Sequence, residues 1–132
     1  MSSSLIRTVD ELDALESEWD SLARPFASPL FDHDWFSAAA RVLHEAADLR
    51  VFTVREGGRL VGAAPLVIDR SRGHRLTMIG SRTLYEPSGW IFESPRALSE
   101  LSRAVAGYGQ CVALPRSPLS CNVGAALARD LK

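Results

Sequence analysis

The chain has 132 residues, 46% of them hydrophobic and 23% charged, with a formal net charge of -1. A globule of that length buries roughly two-thirds of its unfolded surface, so a single folded domain spanning residues 1–132 is expected and disorder is not. The near-zero charge supplies no basic field for nucleic acid or an anionic membrane, and no stretch approaches the ~18 apolar residues of a membrane span.

Met1-Ser2-Ser3-Ser4 has neither the basic nor the apolar region of a secretory signal, which points to a cytoplasmic protein. Cys111 and Cys121 lack the CxxC spacing of a zinc or redox site; buried, reduced thiols and no metal are expected.

Residues 4–9 alternate as a short strand. Thr8 or Asp10 then caps a helix in which Leu12, Leu15, Trp19 and Leu22 recur at three- and four-residue steps, and Asp10, Glu11 and Asp13 suit its positive N-terminal end. That helix is expected to run unbroken to Arg24, before Pro25. After the break at Ser28-Pro29, Asp32 or Asp34 starts a second helix with Trp35, Ala39, Val42, Leu43 and Ala46 as its apolar stripe.

Residues 49–55 and 60–68 are β-rich runs around Glu56-Gly57-Gly58-Arg59, where Gly-Gly supplies the positive φ values of a tight hairpin. Pro65 has no N–H to donate, so an edge or a bulge is expected there. Residues 75–79 and 89–93 read as strands around a loop at 80–88. Pro95 opens a helix carrying Leu98, Leu101 and Val105 and ended by Gly107. Residues 110–114 form a run of buried-strand type, placed parallel to a neighbour by the preceding crossover helix. Ser120 or Asn122 caps a last helix with Val123, Leu127 and Leu131.

This order predicts an α/β (α+β) domain with a mixed sheet. The stretches Trp19-Asp20-Ser21-Leu22, Pro29-Leu30-Phe31-Asp32-His33-Asp34-Trp35, Gly58-Arg59-Leu60-Val61-Gly62-Ala63-Ala64-Pro65-Leu66, Leu84-Tyr85-Glu86-Pro87-Ser88 and Leu114-Pro115-Arg116-Ser117-Pro118-Leu119-Ser120 resemble the opening half of a CelD-like GNAT N-acyltransferase. These are proteins associated with bacterial polysaccharide synthesis and similar to Fem-type transferases. The resemblance implies a mostly antiparallel sheet flanked by helices and incomplete at its C-terminus. It also implies a second half that handles acetyl-CoA or another acyl-CoA, and an acceptor-side role for this half toward an amine or sugar-linked amine, without catalysis alone.

GNAT proteins hold the CoA pyrophosphate on backbone N–H groups of a glycine-rich turn that opens a helix. The corresponding turn here, Glu93-Ser94-Pro95-Arg96-Ala97, has no glycine. Pro95 removes a donor, and Glu93 brings a negative charge that Arg96 offsets in part, so no cofactor is expected on this chain. Arg55-Glu56-Gly57-Gly58 superficially resembles the start of the pyrophosphate motif, but Leu60 stands where its glycine belongs, and the hairpin reading prevails.

The loop at 80–88 places an aromatic, an acid, a base and hydroxyls in close succession. Tyr85, Glu86 and Ser88 are therefore candidate acceptor-binding residues. In a complete transferase Glu86 accepts an amine proton and Tyr85 orients the acceptor; on residue types alone, a packed tyrosine beside a solvated glutamate is the stronger reading. Asp32 and His33 are further candidates at a helix N-terminus, where capping also accounts for them, and Arg116 either meets an anionic acceptor or pairs with an acid.

His44-Glu45-Ala46-Ala47-Asp48 misses the zincin pattern because Asp48 replaces the second histidine. His33 and His44 stand roughly 16 Å apart along one helix and read as separate surface or rim groups. Arg70, Arg72, His74 and Arg75 read as a solvated turn beside Gly73. The alternative to the transferase half is a GNAT-like binding or assembly module, pairing with itself or another chain through an open sheet edge and the last helix.

Overall fold

The hairpin around Gly57-Gly58 is the centre of the sheet. The computed structural model describes residues 1–80, 89–113 and 129–130. Within them β2 (Leu49–Glu56) and β3 (Arg59–Asp69) pair antiparallel, joined by Gly57 and Gly58 at φ 59° and 80°. Positive φ at both central residues gives a turn whose twist matches that of the flanking strands.

On the far edge of β2 lies β1 (Ser2–Ile6), antiparallel. The far edge of β3 is shared. β4 (Arg75–Met78) lies opposite Asp69 to Leu66, and β5 (Ile91–Phe92) lies opposite Ala63 and Gly62. Both run antiparallel to β3, so they are one strand line interrupted by residues 79–90.

The interruption falls at Pro65, whose carbonyl accepts from Ile79 N–H at 3.0 Å. A strand residue aims its N–H and C=O at the same edge, so the N–H that Pro65 lacks would have faced the gap. Pro65 thus sits where the strand is partly an edge, and it pairs regularly with Val51 on the other side. The register shift lies between Val54 and Arg55 instead. β6 (Val112–Ala113) then pairs parallel with β4. The described residues form a mixed, mostly antiparallel open sheet of six strands, ordered β1-β2-β3-β4-β6 with β5 beside β3.

The helix expected from Asp10 to Arg24 is two helices, α1 (Val9–Asp13), capped by Thr8, and α2 (Glu16–Ala23). A continuous helix would give the Leu12 carbonyl to Glu16 N–H. Here that carbonyl accepts from Leu15 N–H and from the His33 ring, both at 3.0 Å, so a tertiary contact replaces a helical one. The next helix, α3 (His33–Leu43), follows Asp32, but the Asp32 side chain makes no cap bond. Asp20 of α2 accepts from His33 N–H at 3.0 Å instead, satisfying one of the four orphan donors of the helix start.

The buried face of α3 is His33, Phe36, Ser37, Ala39 and Ala40, and Val42 is 79% exposed. The expected stripe is therefore rotated. Phe36 packs 5.6 Å from the Trp19 ring, and the small residues beside it let the helices approach closely.

Ser94 caps α4 (Pro95–Gly107) by accepting from Ala97 N–H at 3.1 Å. Ala63, Ala64, Leu66 and Val67 of β3 are all fully buried; neighbouring strand residues point to opposite faces, so both faces are covered. α4 covers one, with Leu101 against Gly62, and α2 covers the other.

Two expectations at the C-terminal side change. Val112 and Ala113 are half-buried and Cys111 is exposed rather than buried, because β6 pairs only with β4 among the described residues. Cys121 and all of the last expected helix except Arg129, Asp130 and its C-terminal end lie in residues 114–128, outside the described residues, as does Leu131. No described helix is long and apolar enough to cross a membrane.

A Cβ at Gly62 would lie 2.9 Å from Leu101 Cδ1. Gly62→Val is therefore expected to destabilise the domain by about 1–3 kcal/mol through overpacking. Urea denaturation measures this, and an unchanged midpoint would contradict close packing of α4 on β3.

Candidate functional site

Tyr85, Glu86, Ser88 and Arg116 lie outside the described residues. The strands that lead to them do not. β4 ends at Met78 and continues through buried Ile79 and Gly80 to the first segment; β6 ends at Ala113, beside Thr77 of β4. The two strands are parallel, so the segments bearing these four candidates follow adjacent strand ends. Ligand sites in α/β sheets form outside the carboxyl ends of parallel strands.

Gly80 takes φ 77°, a conformation that glycine adopts at no steric cost. Its N–H donates to His44 Nε2 at 3.0 Å, tying the root of the loop to the end of α3. An N–H can only donate, so Nε2 carries the lone pair and the neutral ring holds its proton on Nδ1. Burial pushes the His44 imidazole below its usual range, while the Asp48 and Asp69 carboxylates pull it back up.

His44 lines a cavity of about 420 Å³ with Asp48, Asp69, Arg70, Ser71 and Thr77 among its walls. The buried Asp48 accepts from Arg70 Nε at 2.7 Å. The near-zincin segment is thus divided between a loop anchor and an ion pair. Arg70 is held by that pair, and the turn beyond it passes through Gly73 and His74 at φ 80° and 55°. Residue types gave no sign of the His44–Gly80 bond, which joins groups 36 residues apart.

Asp32 and His33 face different surroundings. Asp32 is half-buried and borders a shallow groove with Asp20, Arg24 and Ser28. His33 is buried rather than on the surface or a rim; its ring partners are the Leu12 carbonyl and the carboxylates of Asp13 and Asp34, none of them on β4 or β6. Asp13 is held below the usual carboxylate range by the Ser37 hydroxyl and then by Arg41.

The turn before α4 offers a pyrophosphate little. Ser94 occupies the Ala97 N–H, Pro95 has none to give, and Glu93 is engaged by Arg59, with Nη2 to Oε1 at 2.8 Å. Arg96 pairs with Glu56 at 3.4 Å rather than with Glu93. These residues do not fit the CoA pyrophosphate. A groove of about 430 Å³ beside the turn is walled by Glu18, Ser21, Leu22, Pro25, Phe92 and the Arg59–Glu93 pair.

Fold and strand order define a mixed α/β domain with a parallel β4–β6 pair among the described residues. No family model matches the chain, and no curated protein matches it.

Because the native state disfavours the protonated His44 ring, the unfolded chain binds the proton first. Stability is expected to be full above about pH 6.5, the ordinary imidazole value, and to fall as pH drops below it. His44→Gln keeps an acceptor for Gly80 N–H but does not titrate. Denaturation at pH 7 and pH 5 should therefore show a larger loss in the wild type than in H44Q; equal losses would remove His44 from this account.

Proposed function

We propose that the chain is the acceptor-side half of a GNAT-type N-acyltransferase of the CelD-like kind, a cytoplasmic protein acting on an amine or sugar-linked amine. The observation that supports this reading is the split strand. β4 and β5 form one interrupted line along β3, followed by α4 and then by β6 parallel to β4. This is the strand, crossover helix and parallel strand order of the resemblance, with the candidate loop leaving from inside it.

In this reading the acyl donor, acetyl-CoA or another acyl-CoA, is held by a second GNAT-like half, and the turn before α4 plays no part in holding it. Glu86 accepts the amine proton, Tyr85 and Ser88 orient the acceptor, and Arg116 meets an anionic group on it. His33 joins α3 to α1 and α2 and supports that framework, while Asp32 borders the groove beside Asp20 and Arg24.

A second reading is an assembly module. The edge of β1 facing away from β2 pairs with no described strand, and open edges recruit further strands. In that case the chain self-associates, and mass in solution rises with concentration.

Calorimetry with glucosamine as the amine probe is expected to give a Kd of about 1 mM, equivalent to about 4 kcal/mol, lost in Tyr85→Phe and Glu86→Gln. Acetyl-CoA should give no saturable heat. Micromolar acetyl-CoA binding, or glucosamine binding indifferent to both substitutions, contradicts the proposal.

A further inference from the structure

His33 is a buried titratable side chain of the helical layer. Its ring is 4% exposed, lies edge-on to Trp19 at 6.4 Å, and approaches the Leu12 carbonyl through Nε2 at 3.0 Å. A carbonyl only accepts, so Nε2 carries a proton. In the neutral ring Nδ1 then presents a bare lone pair. That nitrogen is buried and has no hydrogen-bond partner, a condition that calls for a specific explanation in a folded protein.

Nδ1 faces the Asp34 carboxylate, and the Glu16 carboxylate lies close to both residues. Asp34 Oδ1 stands 3.7 Å away, and one ligand atom from each of Glu16, His33 and Asp34 lies within 4.8 Å of the other two. Glu16 is the first residue of α2, and His33 and Asp34 are the first two of α3. We propose that Glu16, His33 Nδ1 and Asp34 form a divalent transition-metal site that clamps the start of α2 to the start of α3, with Zn²⁺ as the fitting ion.

The donor set selects the ion class. Imidazole nitrogen suits zinc, nickel and copper, while two carboxylates supply the charge. Ligands at about 2.0–2.2 Å from a tetrahedral zinc stand roughly 3.4 Å apart. Closing the remaining distance needs a rotamer change of about 1 Å in reach. Glu16 and Asp34 are exposed and make that change without disturbing the core.

The ring itself is already fixed in the way metal-binding histidines usually are, by a second nitrogen donating to a backbone carbonyl or carboxylate. Here Leu12 supplies the carbonyl, and Asp13 Oδ1 lies 3.4 Å from Nε2. Two effects oppose the cation. The N-termini of α2 and α3 each carry a partial positive charge of about one half, and Arg41 pairs with Asp13. Three carboxylates outweigh these, and a fourth coordination position is left to solvent.

The test uses the full chain freed of metal by a chelator and titrated with ZnCl₂ at pH 7, by calorimetry and by imidazole ¹⁵N spectra. One equivalent is expected to bind, shifting His33 Nδ1 while Nε2 keeps its proton. Glu16→Gln and Asp34→Asn remove exposed carboxylates and so spare the fold, whereas substitution of buried His33 risks it. Each is expected to weaken binding by about tenfold or more. Saturating zinc should raise the melting temperature of the wild type but not of the double variant. Absence of zinc binding, an unmoved His33 resonance, or an affinity unchanged in both variants overturns the proposal; zinc carried by exposed Cys111 would give the last two results together.

Discussion

Strand β3 is hydrogen-bonded along both edges and covered on both faces, and the other elements of the sheet and its helical layers are placed by those four surfaces. Its Leu60, Val61, Leu66 and Val67 are at most 3% exposed. Each side chain of this kind contributes about 1.5–3 kcal/mol when fully buried. The strand tolerates Pro65 because the donor it lacks would face the edge where the pairing passes from β4 to β5. The missing donor lies level with the break between β4 and β5, and the sequence between those two strands includes the candidate acceptor residues Tyr85, Glu86 and Ser88. Sheet geometry and candidate function meet at one residue that carries no chemistry of its own.

Acidic side chains of α1 and α2 fasten that helical layer. Glu18 accepts from both terminal nitrogens of Arg55, at 2.8 and 3.1 Å, and from Leu60 N–H at 3.3 Å, beside the register shift in the hairpin. Arg55, more than any other group, holds this carboxyl below its usual range. Asp20 caps α3, and Asp13 joins Ser37 and Arg41 of the same helix. In sequence these acids complement a helix dipole. In the fold they are cross-links, and neither role excludes the other.

Elements encoded by neighbouring residues were legible in the sequence. The Gly57-Gly58 turn, the Thr8 cap, the helix opened by Pro95 and its stripe of Leu98, Leu101 and Val105 all follow from contacts within a few positions. The break between α1 and α2 was not legible, because its cause is a histidine ring 21 residues away. The buried face of α3 was ambiguous for a different reason. Positions 35, 39 and 42 and positions 33, 36 and 40 both have helical spacing, and only packing against Trp19 decides between them. At the candidate site the strands were readable, whereas the His44–Gly80 tie has no local signature. The stretches that carried the family resemblance prove to contain framework contacts: Trp19 Nε1 donates to the Phe31 carbonyl at 3.0 Å, and Asp20 accepts from His33 N–H.

The two histidines that bracket α3 show how far backbone groups alone set side-chain chemistry. At the start of the helix a carbonyl forces His33 to donate from Nε2; just past its end an amide forces His44 to accept at Nε2. In their neutral forms the two rings are opposite tautomers, with the bare nitrogen turned toward the Asp34 carboxylate in one and toward the loop root in the other. Neither state follows from the residue type, and both depend on a chain segment far away in sequence. The same side chain thus presents a lone pair for a ligand at one end of α3 and spends it on the fold at the other, which is why the chemistry of this layer has to be read from partners rather than from motifs.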